Sequence, residues 1–285
     1  MPTVTTNTAA NSALRFLNYN AMQSGSSVSK LASGSRIVKA SDDAAGLAIG
    51  TRLLADATVL RQSAVNASQG ASVLQVADGG LARIADVLQR MKALAAQALS
   101  GVPSDTERGF IDAEFQELKA EITAMATTTR FNGNSLLDGS TAAATPVEYF
   151  VGSEVGDVIT VNFGTLATSA TGFTASALGL IATATSADVA TVTAAGAAMS
   201  AVDAAIDLVS EARATLGGLI SRFEFRGQQI VTSLENIEAA KSTIMDVDLA
   251  AEQSKLVSSQ VLVQASVSAL SQANELPQSL LSLLQ

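Results

Sequence analysis

The sequence predicts a mainly α fold: a long antiparallel helical bundle, coiled-coil in character, formed by N- and C-terminal segments, with a small insertion containing a β-hairpin between the halves. Three observations predict it. Apolar residues recur every seven positions in both halves of the 285-residue chain, which is the seam of a packed helix. Aromatic residues make up only 4% of the chain against 48% apolar, so a slender core rich in Ala, Val, Leu and Ile is favoured over a bulky one. Between the halves, a stretch rich in Thr, Ala and Gly loses its charge and changes to a period of two.

The first segment, 1–43, reads as an amphipathic helix whose Leu14, Leu17, Ala21, Val28 and Leu31 keep a/d-like spacing. Asp42-Asp43 follows Ser41 where the next helix begins. Ser41 is expected to cap that helix, with the two acids at the positive end of its dipole. Paired carboxylates also serve acid-base or metal chemistry when partners converge, but the neighbouring sequence supplies none.

Segment 44–139 carries Leu53, Leu60, Ala67, Leu74, Leu81, Leu88 and Ala95 at sevenfold spacing, with Ala57, Ala64 and Ala71 widening the stripe. Ile84 and Met91 continue it beyond Asp78-Gly79-Gly80. Ser104-Asp105-Thr106-Glu107 has the spacing of a capping box, so a second helix starts there with Ile111, Phe115, Leu118, Ile122 and Met125 on its buried face.

Segment 140–185 is the insertion. Val147, Tyr149 and Val151 alternate with other residues, Gly152 to Asp157 supplies a turn, and Val158 to Phe163 resumes the alternation, which makes a hairpin. Connecting stretches containing Gly164, Gly172 and Gly179 are expected to be surface-exposed, as a cap on the bundle.

The strongest stripe lies in the C-terminal third. Val202, Val209, Leu216, Phe223, Ile230, Ile237 and Ile244 fall on one register, which predicts a continuous helix of roughly 65 Å at about 1.5 Å per residue, over 186–240 and beyond. The last segment, 241–285, repeats Leu249, Leu256, Val263 and Leu270 by seven. One-sided helices do not stand alone in water, so the longer ones should bury their stripes on one another. The two end stripes, rich in Ser, Asn and Gln, also want helical partners. They read as segments that stay disordered in the lone chain and fold on association, the subunit interface completing their core.

Composition closes off other functions. A net charge of -9 argues against a phosphate backbone as partner, so no nucleic acid is expected. The absence of His and Cys removes the commonest general base, the thiol nucleophile and the usual zinc ligands. No catalytic, cofactor-binding or metal residue is expected, and GLAIG (residues 46–50) is only a fragment of a dinucleotide loop. The N-terminus lacks a basic start followed by an apolar run, so export would proceed without a cleaved signal peptide. Uncharged runs at 158–187 and 256–274 are interrupted by Thr, Ser, Gly and Gln, which reads against membrane insertion.

Particular residues carry a family resemblance. KLASGSRIVKASDDAAGLAIGTRL (30–53), QRMKALAAQA (89–98), TTTRFNGNSLLDG (127–139), VGSEVGDVITV (151–161) and ANELPQSLLSLLQ (273–285) resemble the signatures of bacterial flagellins, in family order. The resemblance covers roughly residues 1–165 and 200–285. It implies a non-enzymatic structural subunit that self-polymerises into the extracellular flagellar filament used for swimming. The paired ends would form the inner core, and the longer helices plus hairpin the next layer. It also implies, as partners, the flagellar export apparatus and a chaperone on the C-terminal helix, junction and cap proteins, and further copies of the chain. In some family members an innate immune receptor reads a patch whose matching positions here are Arg90, Leu94, Gln97 and Glu114, with Ala93 and Ala96 standing where many receptor-activating members have a larger or charged residue. Two other readings stay open: a hook-filament junction protein of the same superfamily, and a secreted membrane-active translocator.

Overall fold

In the computed structural model, which describes residues 7–139, 146–163, 172–182 and 185–282, the Asn7 side chain accepts from the Ala10 amide and opens α1 (Thr8–Ser33). Gly34 ends the helix at φ 69°, a left-handed position that a residue with a Cβ adopts only at a cost. After a short link, α2 (Ala44–Leu99) runs 56 residues, straight through Gly79-Gly80.

Asp43, not Ser41, caps α2. Its Oδ1 accepts from the Gly46 amide at 2.8 Å, and its carbonyl accepts from Leu47 at 3.0 Å. A capping side chain reaches an amide two or three residues on, and Ser41 lies two positions too early to do so. Asp42 turns back instead and accepts from the Lys39 and Val38 amides at 3.0 and 3.1 Å. Those bonds hold its carboxyl below the ordinary carboxylate range. Both acids are thus occupied by the backbone.

The capping box forms in full: Ser104 accepts from the Glu107 amide, and the Glu107 carboxylate accepts from the Ser104 amide at 2.7 Å, opening α3 (Asp105–Thr128). A tight hairpin follows, β1 (Arg130–Phe131) against β2 (Asn134–Ser135). Its turn residues, Asn132 and Gly133, have φ of 50° and 83°, the two positive values that a two-residue turn demands and that Asn-Gly supplies. The larger hairpin pairs β3 (Val147–Phe150) with β4 (Val158–Val161), Val147 opposite Val161 and Phe150 opposite Val158. Asp157 closes its loop by accepting from the Ser153 and Glu154 amides. A third short pair, β5 (Ile181–Ala182) and β6 (Thr185–Ser186), precedes the long α4 (Val192–Met245) and the final α5 (Leu249–Ser282).

The chain divides into two compact units, Met1–Ala57 with Glu235–Gln285, and Thr58–Leu234. In the second, α2 and α4 run antiparallel, tied by Arg213 to Asp78 at 2.8 Å and by Lys92 to Asp203 at 2.5 Å. Leu74, Leu81, Ile84, Leu88 and Met91 of α2 are fully buried, as are Phe115 and Ile122 of α3 and Val202, Val209, Leu216 and Phe223 of α4. Each such side chain contributes about 1.5–3 kcal/mol, as an upper estimate against a compact unfolded chain. The larger hairpin is fastened to this core: Ser63 Oγ donates to the Gly152 carbonyl at 2.7 Å, and Asn66 donates to that of Phe150 at 3.0 Å. Tyr149 meets Phe223 edge-on, with ring centroids 5.4 Å apart.

The stretch after the hairpin departs from expectation. Its glycines and polar residues predict exposure for 172–180 along with the rest of the connection, yet Phe173, Ala175, Leu178 and Leu180 are buried, as is Val189 further on. Backbone bonds hold them: Phe173 donates to the Leu137 carbonyl at 2.7 Å, Ala175 to Thr123 Oγ1 at 3.3 Å and Val189 to Asp112 at 3.0 Å. Lys119, itself buried, donates to the Ala187 carbonyl at 3.0 Å. Burial depresses its ammonium pKa, since the charged form is the one desolvated. Gly164 lies outside the described residues, and Gly179 is exposed.

Candidate functional site

The unit formed by the chain ends is built on α1 and α5. They pair antiparallel: Asn7 donates to the Ala273 carbonyl at 2.7 Å, Asn20 to Ser266 Oγ at 3.3 Å, and Ser27 to Glu252 at 2.6 Å. Backbone bonds join the segments at the base of this pair, Arg36 donating to Met245 at 2.6 Å and Val247 to Gly34 at 3.1 Å. The glycines of GLAIG are explained nearby. A Cβ at Gly46 would strike Ile37 and Asp43, and one at Gly50 would strike Met245, so both permit close packing and neither belongs to a phosphate loop.

Little of α1 and α5 is buried. Among the described residues of the two helices, Leu256 is the one large apolar side chain below a tenth exposed; the others so buried are Ser27, Glu252, Ser259 and Ala273. Outside lie Met22 (75% exposed), Tyr19 (60%), Leu249 (59%), Phe16 (57%) and Val261 (57%). Phe16, Tyr19, Leu262, Ala265 and Ala269 line an open groove of 680 Å³ along the pair. Arg15 sits over the Phe16 ring at 5.8 Å, a cation on an aromatic face.

Of the residues expected in the inner core, Leu256 is buried, Leu17, Leu31, Val263 and Leu270 are half-buried, and Leu14, Ala21, Val28 and Leu249 are exposed. Of those expected in the bundle core, Leu60, Leu74, Leu81, Leu88, Val202, Val209, Leu216, Phe223 and Ile230 are buried. Leu53, Ile237 and Ile244 are half-buried and fall in the unit of the chain ends. Phe16, Tyr19 and Met22 stand off the heptad stripe, and their one signal in the sequence is their size on a polar helix. In the receptor-type patch, Arg90 and Glu114 form an ion pair at 2.6 Å, Leu94 is buried and Gln97 is exposed.

Helix α4 contains an 18-residue window of mean hydropathy 1.5, long and apolar enough to cross a membrane by length and composition. Its stripe, however, is buried on the side that faces α2, and core helices pass the same test. Among the described residues, no three His, Cys, Asp or Glu gather where they could hold a metal.

Monomers seldom leave this much apolar surface uncovered, and a pair of long helices that does so beside a separate helical-bundle unit is the build of a structural subunit. Comparison with known proteins gives the particular family. Residues 4–142 match the bacterial flagellin N-terminal helical region and residues 199–284 the bacterial flagellin C-terminal helical region. The chain is 34% identical to a 30.7 kDa flagellar filament core protein of Treponema maltophilum, over 95% of each chain. It is 35% identical to a flagellin of Halalkalibacterium halodurans over 98% of each. A solved structure of a proposed flagellar hook-associated protein from Vibrio parahaemolyticus shares the fold, with TM-score 0.57 and 12% identity over 72% of this chain and all of that one. The chain belongs to the bacterial flagellin family, whose members are structural subunits of the flagellar filament.

Proposed function

We propose that this chain leaves the cell through the flagellar export apparatus and self-polymerises through α1 and α5 into the extracellular filament that drives swimming. The observation that carries the reading is the exposure of Phe16, Tyr19, Met22, Leu249 and Val261, and the apolar groove that Phe16 and Tyr19 form with Leu262, on helices that bury little between themselves. Copies of the chain cover that surface, and the side chains of Leu14, Ala21, Val28 and Leu249, exposed in one chain, enter the shared inner core. In this scheme 1–43 and 241–285 form the inner core, 44–139 and 186–240 the outer bundle, and 140–185 the hairpin segment. A chaperone masks the C-terminal helix before export, junction and cap proteins bound the polymer, and catalysis has no part.

Negative-stain microscopy of purified chain, seeded with filament fragments, tests this beside a shortened chain lacking residues 1–35 and 250–285. Long filaments from the intact chain and none from the shortened one are expected. Short rings from a folded intact chain would favour the hook-filament junction reading instead.

Recognition of Arg90, Leu94, Gln97 and Glu114 by an innate immune receptor is a subsidiary proposal. The receptor would compete with Glu114 for the Arg90 guanidinium, and a receptor-reporter assay silent at saturating monomer would reject it.

A further inference from the structure

The stripes on α1 and α5 do not determine how the two helices align. Leu249, Leu256, Val263 and Leu270 repeat by seven, so sliding α5 by one heptad lays an apolar residue where another had been. Small residues add little discrimination, because Ser259 and Ala273 fill most of the rest of the buried face. One buried group is not repeated. Glu252 is 6% exposed, accepts from Ser27 Oγ at 2.6 Å, and has Lys255 Nζ at 3.4 Å on its other oxygen. A one-heptad slide brings Ser259 or Met245 opposite Ser27 and leaves the Glu252 carboxylate away from its donor. Lys255 travels with Glu252 on α5, so a slide costs the carboxylate its hydroxyl donor and not its cation, and the Ser27 bond acts chiefly against wrong alignments.

We propose that the Ser27–Glu252 pair holds along the helices the register of α1 against α5 that the backbone bonds of Gly34 and Arg36 to Val247 and Met245 set at their base, and thereby decides which exposed side chains line up as one docking stripe. The inference concerns pairing within one chain and does not rest on polymerisation. Asn7 with the Ala273 carbonyl agrees with the same offset but is a weaker arbiter, being part-buried and uncharged, and Asn20 reaches Ser266 one heptad further along α5, so it does not report that offset.

The chain has no cysteine, so introduced thiols report alone. Full-length chains carrying Asn20→Cys with Ser266→Cys (native register), Asn20→Cys with Ala273→Cys, or Ala13→Cys with Ser259→Cys (one heptad off in either direction) would be oxidised. Intramolecular crosslinks would be scored by mass, in isolated chains and in any pelleted assemblies. In the native background only the 20–266 crosslink is expected. With Ser27→Ala or Glu252→Leu, the excess of 20–266 over the shifted crosslinks should fall by roughly tenfold, the loss of a preference of ~1.4 kcal/mol. With Glu252→Gln, which still accepts from Ser27, it should persist. Three results would each overturn the proposal: an unchanged excess in Glu252→Leu, loss of the 20–266 crosslink without gain of the shifted ones, or no 20–266 crosslink in the native background. Pelleting reads polymerisation separately, so its failure is not confused with loss of register.

Discussion

A methyl group at position 70 would land 2.5 Å from the Phe223 ring, whereas one at position 79 meets nothing within 4 Å, although both glycines lie in α2. Helix propensity alone favours Ala at either site by about 0.5–1 kcal/mol. At Gly70 the overlap outweighs that gain, because Phe223 is fully buried and held edge-on against Tyr149, and overpacking costs about 1–3 kcal/mol. Gly70→Ala should therefore lower, and Gly79→Ala raise, the midpoint of denaturant unfolding of the Thr58–Leu234 unit. Equal midpoints would mean that α2 and α4 are not held this close. The same residues show where sequence stops being readable. Gly70 interrupts no pattern, and its reason is a ring 153 positions away. Asp43 is legible as part of a helix start, but choosing it over Ser41 needs the actual φ/ψ path, since helix boundaries blur by a residue or two.

At the scale of elements, periodicity makes α2, α3 and α4 legible, because a buried face imposes its spacing on the sequence. The capping box at Ser104 is legible for a similar reason: its chemistry is local. The Asn132-Gly133 turn carries an equally local signal, hidden inside a longer motif that does not read as a hairpin. The burial of Phe173, Ala175, Leu178, Leu180 and Val189 cannot be read, since the bonds that hold this stretch go to Leu137, Thr123, Asp112 and Lys119 and leave no period behind. Lys119→Ala removes a donor to Ala187 and opens a gap, which should cost about 1–3 kcal/mol and expose the segment to protease before the helices unfold. Equal protease resistance would show that the apolar side chains suffice. On α5, the Ser27 bond, aided by Lys255, holds the Glu252 pKa below its ordinary value. A depressed folded value means that the contribution is present above the unfolded pKa, ~4.3, and is lost as pH falls through the folded one. Acidification below about pH 4 should therefore weaken α1–α5 pairing, and Glu252→Gln should flatten that part of the profile. Circular dichroism of both proteins across pH 2–6 checks it, and superposable profiles would assign the acid sensitivity to other groups.

Over the whole molecule, the two units differ in what they bury, and stability should follow. The Thr58–Leu234 unit encloses Phe115, Phe173 and Phe223 with a row of Leu and Ile from α2, while the described residues of α1 and α5 bury Leu256 as their one large apolar side chain. Local opening free energy tracks such contacts, so amides of α1 and α5 should exchange at least roughly tenfold faster than those of 74–95 in the lone chain. Association should then close the gap, because a partner covering Phe16, Tyr19 and Met22 supplies the burial that one chain lacks. The net charge of -9 opposes bringing copies together, but salt screens it beyond about 10 Å and leaves an apolar groove unaffected, so protection of the ends should rise with ionic strength at fixed concentration. Hydrogen exchange on isolated and polymerised chain, at low and moderate salt, reads all three expectations at once. If α1 in the lone chain were as protected as α2, the ends would already be complete within one subunit. The exposed stripe would then need another explanation than a missing neighbour.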